Sequence, residues 1–596
     1  MADKSKFRES VRQKFSKSSK LFVVAIDFGT TFSGYAYSSK AEWTKVFTNK
    51  WTGGLLISYK APSALLLNPD ESFHSFGFDA VNNYASLIAD EDCQDYLFFH
   101  RFKMILKTSL EKRIHRKTQC IAENGKSVDA MKVFTNCIKY MKDHLLEKLR
   151  DISVEIFMED IDFVLTVPAI WEDTAKMFMR EAAENAGIKS DQLRIALEPE
   201  AALIYCQLMH LESKENSIIF LAGQEKKSKY LVLDLGGETA DFTVIEQEAD
   251  GTFAEVIPVG GGPWGGNRLD RAFHGILAEL FGEDVMRRFR TEPDFAEDYI
   301  DFFQSFELNK RFFEPRKDEL VHFPLLGLRD LVKAINKGKK NSPNITIEEI
   351  IKNSRFKDDL HASFQKLHIK NSFFEQMIVR IVNLLTDNLA DLYKNIRGGL
   401  EAILMVGGFS ECTIVQEAVR DFFKDKCRVI IPSEAGIAVL KGAVYLGHQP
   451  HLISERVASH TYGIQIWPKF DKTLHMNSKL VRMGDENRCR DVFFRFVTKG
   501  EKIKPEENSC IFKVLKPEES MLEIGVFISA DNDPRYVDEN GCVKLGLLEL
   551  PLQSTGEDEN LEIEVAFTFD HSELQVKAYN FQTNKEYEVT FDLLSR

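Results

Sequence analysis

The sequence has few cysteines, and none of them is spaced as in a zinc or redox site. Nine cysteines are spread over 596 residues, and no two of them form a C-x-x-C pattern. A chain of this size with few cysteines and an odd count is typical of a reduced, intracellular protein. The histidines form no H-E-x-x-H pattern, so the sequence does not indicate a zinc hydrolase.

The sequence also lacks a long apolar run and an excess of positive charge. Its longest apolar stretches, such as Leu21–Ile26, have the length of a strand, whereas a membrane-spanning helix needs about 18 residues or more. Lys and Arg number 77 against 91 Asp and Glu, a formal net charge of −14, which argues against nucleic acid as a partner. Because there is also no secretory signal or lipidation pattern, we expect a cytoplasmic location, with the nucleus as an additional compartment.

Strands alternate with helices from about residue 21 to residue 447, which is typical of α/β layers. The apolar runs predict buried strands at Leu21–Ile26, Asp162–Val167, Tyr230–Leu233 and Ile403–Val406. Apolar residues with a period of about 3.6 predict a helix over Trp171–Ala186, followed by a glycine suited to end it.

The pattern changes in the middle and at the end of the chain. Residues 268–398 are predicted to be helical and charged, with an exposed loop at 334–346. After about residue 455, apolar residues alternate strictly with polar or small ones in Leu561–Phe569, Leu574–Ala578 and Tyr587–Phe591. A period of two with intervening turns predicts an antiparallel β unit.

Two segments, Leu21–Gly34 and Tyr230–Asp241, share one design. Each has a buried strand that ends in an aspartate, Asp27 or Asp234, and then a Gly/Thr turn. Glycine lets backbone N–H groups approach phosphate oxygens, and threonine hydroxyls add donors. Because a carboxylate cannot contact phosphate directly, each aspartate is expected to hold a divalent cation or its water molecules. The pair predicts two lobes that bind one polyphosphate.

Other nucleotide motifs are not supported. Gly260–Gly265 matches G-x-G-x-x-G, but it contains a proline, and no ribose-binding acid follows in a later strand. The segment Gly125-Lys126-Ser127 would need a glycine at position 120 to form a Walker A loop, and that position is Cys120.

Five segments together resemble the nucleotide-binding domain shared by actin, sugar kinases and 70-kDa heat-shock proteins. Within that set the chain resembles the 70-kDa heat-shock family, most closely its divergent heat-shock protein 12 branch, over residues 21–596. The five segments are Ile26–Gly34, Leu165–Ala169, Leu197–Ala202, Asp234–Asp241 and Met405–Ser410.

The resemblance implies an α/β fold with a two-lobed, actin-like (ribonuclease H-like) ATPase domain and a C-terminal antiparallel β domain without a helical lid. The expected divisions are a basic disordered tail at 1–20, lobe I at 21–215, lobe II at 216–415, a return to lobe I at 416–450, and a β-sandwich-like substrate-binding domain at 455–596. For the tail, an organelle presequence or a membrane-surface helix stays open as an alternative.

The resemblance also implies roles for individual residues. Asp27 and Asp234 would organise Mg²⁺ through water, and Glu198 would help order those waters, with Pro168 on the same wall of the site. Lys103 is the expected catalytic lysine, with Arg101 as its rival. The remaining positions are the first phosphate loop (Gly29, Thr30, Thr31, Phe32), the second phosphate loop (Gly236, Gly237 and Thr239, the last also catalytic), the adenosine-binding helix (Glu307, Lys310, Arg311) and the turn beneath ribose and base (Gly407, Gly408). A solvated helical face remains the alternative for 307–311.

The implied function is that of a chaperone that binds ATP or ADP with Mg²⁺ and hydrolyses ATP weakly by attack of water on the γ-phosphate. Its nucleotide state would set lobe closure. Its implied partners are a client protein or peptide at the β domain, and nucleotide-exchange or co-chaperone proteins. Two alternatives remain: a nucleotide-dependent interaction or signalling scaffold with little catalysis, and a small-molecule kinase of the same fold.

The chain departs from the family pattern at several places. Glu238 stands where the family has a third glycine, so its carboxylate either points away from the phosphates or weakens hydrolysis. Ser433 replaces an aspartate. The segment His448–Val457 lacks the leucine run of the family's interdomain linker, which puts coupling between the domains in doubt. The β unit is not followed by the usual lid or by an acidic tail motif.

Overall fold

The computed structural model confirms the predicted fold class: two α/β lobes are followed by an antiparallel β region. The predictions for the basic tail at 1–19, for the loop residues 339–344 and for the strand residues 589–591 lie outside the described residues. The structure describes residues 20–53, 58–107, 114–151, 156–212, 227–311, 313–314, 320–338, 345–363, 365–503, 508–514, 521–551, 561–570, 573–581, 585–588 and 594.

The first lobe is built around a mixed sheet whose central strand carries Asp27. The strand order is β11-β10-β1-β2-β3, in which β1, β10 and β11 run parallel and β2 returns antiparallel. The strands are β1 (Phe22–Phe28), β2 (Phe32–Ser39), β3 (Phe47–Thr48), β4 (Ala61–Pro62), β5 (Ala64–Leu67), β6 (Phe73–Phe76), β7 (Leu97–His100), β8 (Gln119–Ile121), β9 (Ser127–Asp129), β10 (Ile161–Val167) and β11 (Leu193–Leu197). The helices are α1 (Phe78–Ala89), α2 (Ala130–Asp151) and α3 (Asp173–Asn185).

Strand β1 is apolar on both faces because layers cover the sheet on both sides. Val24, Ile26 and Phe28 point into one core, whereas Val23 and Ala25 point into another that both lobes share. A strand that is buried on both faces reads as a continuous apolar run rather than as an alternation, which is why the sequence predicted it.

The second lobe repeats this arrangement. Its sheet has the order β19-β18-β12-β13-β14. Strand β12 is central in this sheet, as β1 is in the first, and Asp234 lies near the end of β12. Its strands are β12 (Ser228–Leu235), β13 (Ala240–Gln247), β14 (Phe253–Gly262), β15 (Leu320–Pro324), β16 (Leu360–Ala362), β17 (Lys366–Lys370), β18 (Ala402–Val406) and β19 (Arg428–Ile430). The helices from residue 198 onward are α4 (Glu198–Glu212), α5 (Asn267–Phe281), α6 (Glu283–Thr291), α7 (Ala296–Arg311), α8 (Leu326–Gly338), α9 (Ile347–Lys352), α10 (Asn371–Asn395), α11 (Thr413–Phe423) and α12 (Ala438–His448).

Two helices cross between the lobes. Helix α12 packs on the first sheet, α4 packs on the second, and the two helices pack tightly against each other. Gly442 lies at the crossing, where a Cβ atom would stand 1.8 Å from the carbonyl oxygen of Ala201. The backbones therefore approach as closely as only a glycine allows.

The C-terminal β region contains two antiparallel sheets of four strands that share one core, β24-β21-β27-β28 and β26-β29-β30-β31. Its strands are β20 (Ile453–Val457), β21 (Thr461–Ile466), β22 (Leu480–Met483), β23 (Glu486–Cys489), β24 (Val492–Val497), β25 (Lys502–Ile503), β26 (Asn508–Val514), β27 (Met521–Ser529), β28 (Cys542–Pro551), β29 (Leu561–Asp570), β30 (Glu573–Asn580) and β31 (Lys585–Glu588). Four of these strands lie outside the two sheets. Strand β20 pairs in parallel with β14, and β25 pairs with β20, so both extend the sheet of the second lobe. Strands β22 and β23 form a separate two-stranded sheet.

The structure differs from the sequence-based divisions in three places. Helix α11 and strand β19 still belong to the second lobe, so the return to the first lobe comes at α12 rather than at residue 416. Residues 334–338 continue helix α8, where a loop was predicted. Leu594 lies in the core of the first lobe, outside the β region to which the sequence assigned it.

The described residues contain no helix that is both long and apolar enough to cross a membrane. The nine cysteines are all free thiols.

The close approach at the crossing predicts that Gly442→Ala destabilises the protein. The added methyl group meets backbone that cannot move aside, and overpacking of this kind costs about 1–3 kcal/mol. We expect a lower urea midpoint, measured by tryptophan fluorescence. Gly275→Ala is the matched control: Gly275 is also helical, but a Cβ there would meet no atom within 4 Å, so we expect no loss, or a gain of about 0.5–1 kcal/mol. Equal losses in the two variants would contradict the prediction.

Candidate functional site

One cleft of about 700 Å³ between the lobes brings the predicted site residues together. A volume of this size is typical of sites that hold a small-molecule ligand. Every residue predicted for the two phosphate loops, the adenosine-binding helix, the glycine turn and the catalytic group lines the cleft: Asp27, Gly29, Thr30, Thr31, Phe32, Lys103, Glu198, Asp234, Gly236, Gly237, Thr239, Glu307, Lys310, Arg311, Gly407 and Gly408. Pro168, Glu238 and Ser433 lie in the same lining.

Asp27 is held by two hydrogen bonds at the end of β1. Thr166, its neighbour in β10, donates from Oγ1 to Asp27 Oδ1 at 2.7 Å, and Lys60 Nζ donates to Oδ2 at 2.6 Å. Burial alone would raise the pKa of the Asp27 carboxyl, but the ammonium groups of Lys60 and Lys103 hold this pKa below its usual value. Asp27 is therefore ionised and fixed in orientation although its exposure is only 4%.

Asp234 lies at the corresponding end of β12, but the charges and hydrogen bonds around its carboxyl differ from those around Asp27. Burial raises its pKa well above the usual value, and the negative charges of Glu198 and Asp241 raise it further. Among the described residues no side chain donates a hydrogen bond to it and no cation pairs with it. Gly407 leaves room for it, because a Cβ atom there would lie 2.3 Å from Asp234 Oδ1. The charge of Lys60 lowers the pKa of Asp234 in part, but no ion pair to this carboxylate is present in the described part of the chain.

Lys103 lies on a short 3₁₀ helix, Phe102–Leu106, and is 3% exposed. Its Nζ donates to Glu198 Oε1 at 3.1 Å and lies 4.9 Å from the ring centroid of Trp171. Its rival Arg101 also reaches the region but pairs with Asp270 of the second lobe at 2.8 Å. The geometry therefore places Lys103 in the cleft among the carboxylates and gives Arg101 a contact between the lobes.

The two phosphate loops touch each other across the cleft. A Cβ atom on Gly237 would stand 2.0 Å from Thr31 Oγ1, so only glycine allows this approach. The start of helix α5 supports the second loop, because the N–H groups of Gly265, Gly266 and Asn267 donate to the carbonyl oxygens of residues 238, 236 and 237. Backbone hydrogen bonds therefore hold the second loop, and its close approach to Thr31 brings it against the first loop.

Glu238 turns away from the phosphate loops toward helix α5. Its carboxylate forms an ion pair with Arg271 and accepts a hydrogen bond from Asn267 Nδ2 at 2.9 Å. Of the two alternatives that the sequence left open for this residue, the structure favours the one in which the carboxylate is directed elsewhere and its charge is balanced.

The predicted adenosine-binding helix is α7, and its charged residues are tied together. Lys310 pairs with Glu307 and also with Asp270 at 2.8 Å, while Arg311 Nε lies 3.0 Å from Glu307 Oε1. The guanidinium of Arg311 lies 4.8 Å from the ring centroid of Phe32 in the first lobe. Because Lys310 is buried, the alternative of a solvated helical face does not hold for that residue.

Sequence reasoning missed three parts of the site. Lys60, the partner of Asp27, gave no motif signal. Asp241 was considered only as the end of a segment, yet it is buried near Glu198, and its Oδ1 has no hydrogen-bond partner among the residues that the structure describes. Gly260–Gly265 was set aside as a poor dinucleotide motif, although the glycine run leads into the support for the second phosphate loop. The signal for this last role was the glycine run itself.

The known proteins to which the chain is similar include heat-shock and chaperone proteins. The model of the Hsp70 protein family matches residues 102–294. Heat shock 70 kDa protein 12A of Mus musculus is 31% identical, over 96% of this chain and 92% of that protein. Heat shock 70 kDa protein 12B of Homo sapiens is also 31% identical, over 96% and 91%. Chaperone protein DnaK of Mycoplasmopsis pulmonis is 23% identical, over 80% and 67%.

The buried carboxyl of Asp241 predicts a pH-dependent stability. Burial, and then the charge of Glu198, raise its pKa from 3.8 to about 7. The native state therefore keeps a proton that the unfolded chain has released, and this contribution to the free energy of unfolding is lost as pH rises from about 4 to 7. The Asp241→Asn variant has no carboxyl to titrate at this position, so it should not lose this contribution. We therefore expect the free energy of unfolding of the variant, minus that of the parent protein, to be about 2–3 kcal/mol larger at pH 8 than at pH 5.

Urea unfolding of the ligand-free protein at the two pH values measures this difference. Asp391→Asn serves as the control, because the side chain of Asp391 is 79% exposed. A stability difference between Asp241→Asn and the parent that is the same at pH 5 and pH 8 would rule the interpretation out.

Proposed function

The chain belongs to the Hsp70 family, in the divergent branch of heat shock 70 kDa proteins 12A and 12B, and from this premise we propose that it is an ATP-binding, chaperone-like protein. The finer proposal is that it hydrolyses ATP weakly, and that its nucleotide state sets lobe closure and the binding of a client protein or peptide at the β region. The observation that carries the proposal is the meeting of two aspartate-tipped turns, one from each lobe, in a single cleft of about 700 Å³.

The carboxylates of the cleft fit a divalent cation. Asp234 lines the cleft with a pKa that is raised although the charge of Lys60 opposes the rise, and among the described residues it has no ion-pair partner, so a bound cation would stabilise its ionised form. No group of three or more His, Cys, Asp or Glu ligands is assembled among the described residues. A site that offers only one or two carboxylates suits Mg²⁺, because this ion keeps several waters and binds one or two carboxylates together with substrate phosphates. Asp27 and Asp234 would hold the ion, and when bound it would supply charge neutralisation to the phosphate oxygens.

Residues of the chain then account for the other requirements of hydrolysis. The backbone N–H groups of the two loops would bind phosphate oxygens. Lys103 brings a positive charge that is nearly buried, and such a charge stabilises a transferring phosphate more strongly than it would in water. Glu198 and Thr239 are the proposed residues for ordering water in the cleft. Glu307, Lys310, Arg311, Gly407 and Gly408 are the proposed adenosine site.

The β region has contacts through which it could respond to the lobes. Strand β20 extends the second sheet, and Arg456, in that strand, pairs with Glu200 at 2.6 and 2.9 Å. Tyr462 donates to Asp173 of the first lobe at 3.3 Å. These contacts support coupling between nucleotide state and the β region, even though the leucine run of the usual linker is absent.

Binding and single-turnover measurements test the proposal. We expect ATP and ADP to bind by isothermal titration, more tightly with Mg²⁺, and Asp27→Asn to reduce the gain from Mg²⁺. Lys103→Met keeps the buried stem but removes the charge, so the single-turnover rate should fall by about 10²-fold with little change in affinity. Lys132→Met, an exposed lysine paired with Glu71, is the control. Absence of nucleotide binding would refute the proposal, whereas tight binding without turnover would identify the scaffold alternative.

The pairing of Glu238 with Arg271 gives a second prediction. In Arg271→Gln the Glu238 carboxylate loses its balancing charge beside the second phosphate loop, so we expect ATP to bind about tenfold more weakly, or about 1.4 kcal/mol. Titration of the double variant Glu238→Gln/Arg271→Gln should return the affinity to near that of the parent. An Arg271→Gln variant with unchanged affinity would show that Glu238 does not need this partner.

A further inference from the structure

Three histidines form a row on the small sheet of the second lobe, away from the cleft lining. This sheet has the order β15-β17-β16, with His368 in the central strand. His322 in β15 and His361 in β16 both stand directly opposite His368 in the strand register. We call these three residues the histidine ladder.

The ladder lies on the outer face because the other face of the sheet is core. Val321, Phe323, Leu360, Leu367 and Ile369 are buried in the core of the second lobe. Since successive side chains of a strand point to opposite faces, the three imidazoles face outward. His322 and His361 are exposed, and His368 is half-buried between them.

The ring nitrogens of the ladder are close enough to share one small ligand. Nδ1 of His368 lies 2.8 Å from Nδ1 of His322, and the two ring centroids are 4.7 Å apart. The ring of His361 stacks on that of His368 with centroids 4.4 Å apart and planes 3° apart. At this distance the two nitrogens share one hydrogen bond, in which one imidazole donates its N–H and the other accepts with its lone pair. A metal ion would replace the shared proton, since a deprotonated ring nitrogen offers a lone pair as a ligand.

We propose that the histidine ladder binds a divalent transition-metal ion, with zinc as the best match. Neutral imidazole is the typical protein ligand for zinc, copper and nickel, whereas magnesium and calcium prefer oxygen. A tetrahedral zinc ion with Zn–N bonds of about 2.0–2.1 Å needs its two nitrogens about 3.3 Å apart. The His322 and His368 nitrogens must therefore separate by about 0.5 Å, which the exposed ring of His322 can accommodate by rotation.

His361 is the third ligand, and rotation of its exposed ring brings it in. No three-ligand set stands ready around one point among the described residues, so the ion first bridges His322 and His368. Water completes the coordination. Ser363, whose Oγ lies 2.9 Å from His368 Nε2, helps to hold the central ring.

The charges near the ladder allow a competing interpretation. Lys366 and Lys370 occupy the same outer face of β17 as His368, which would suit an anion such as phosphate. Against an anion, the 2.8 Å hydrogen bond between Nδ1 of His368 and Nδ1 of His322 requires that one of the two nitrogens accepts, so the pair does not present two positive donors to an anion.

Titration of the full chain tests the proposal and is independent of nucleotide binding. We expect ZnCl₂ to bind at the ladder at pH 7.5 and NiCl₂ to compete, whereas MgCl₂ does not. The double variant His322→Gln/His368→Gln should lose one equivalent of zinc, or at least about tenfold in affinity. His475→Gln, which lies outside the ladder, is the control, and ATP binding should stay unchanged in all variants.

Chemical protection provides a readout that does not depend on any variant. Zinc should protect His322, His361 and His368 from diethylpyrocarbonate, as mapped by mass spectrometry, and should leave His475 reactive. Equal zinc stoichiometry and affinity in the parent and the double variant would overturn the proposal. So would protection of the ladder by inorganic phosphate and not by zinc.

Discussion

Four carboxylates lie in or beside one cleft, and the rest of the site depends on how their charge is balanced: Asp27, Glu198 and Asp234 line the cleft, and Asp241 is buried near Glu198. Burying a carboxylate without a partner costs several kcal/mol. The ammonium groups of Lys60 and Lys103 meet this need on the side of the first lobe. The second lobe has no equivalent lysine at Asp234 among the described residues. This asymmetry leaves less compensation for negative charge on the side of the second lobe than on the side of the first.

The parts of the site that the sequence predicted are those encoded within a few consecutive residues. An aspartate at the end of a buried strand, followed by Gly29-Thr30 or by Gly236-Gly237, specifies a turn locally, and both turns reached the cleft. Side-chain partners are different, because each pair depends on how distant elements pack. Lys60 is separated from Asp27 by 33 positions, and Arg271 from Glu238 also by 33. No spacing rule links either pair, so neither could be read from the sequence.

The two-lobed α/β architecture was also predicted, because strands buried on both faces give strong apolar runs. Its boundaries were less accurate for a physical reason. Strand β19 has only three residues, Arg428–Ile430, and its apolar run, Val429–Ile431, is too short to mark it as part of a sheet. Strand β20 carries Glu455 and Arg456, so its composition suggested a linker. Its pairing with β14, and the neutralisation of Arg456 by Glu200, explain why a polar segment can join the sheet.

The position of β20 has a consequence for dissecting the protein. Strand β14 is covered by β20, which is covered in turn by β25, and both covering strands come after residue 450. A fragment ending at residue 450 would keep the pairing of β14 with β13 but would leave the outer edge of β14 without a neighbour. An open strand edge is a template for another chain, so the isolated pair of lobes would expose a site for self-association that β20 covers in the full chain.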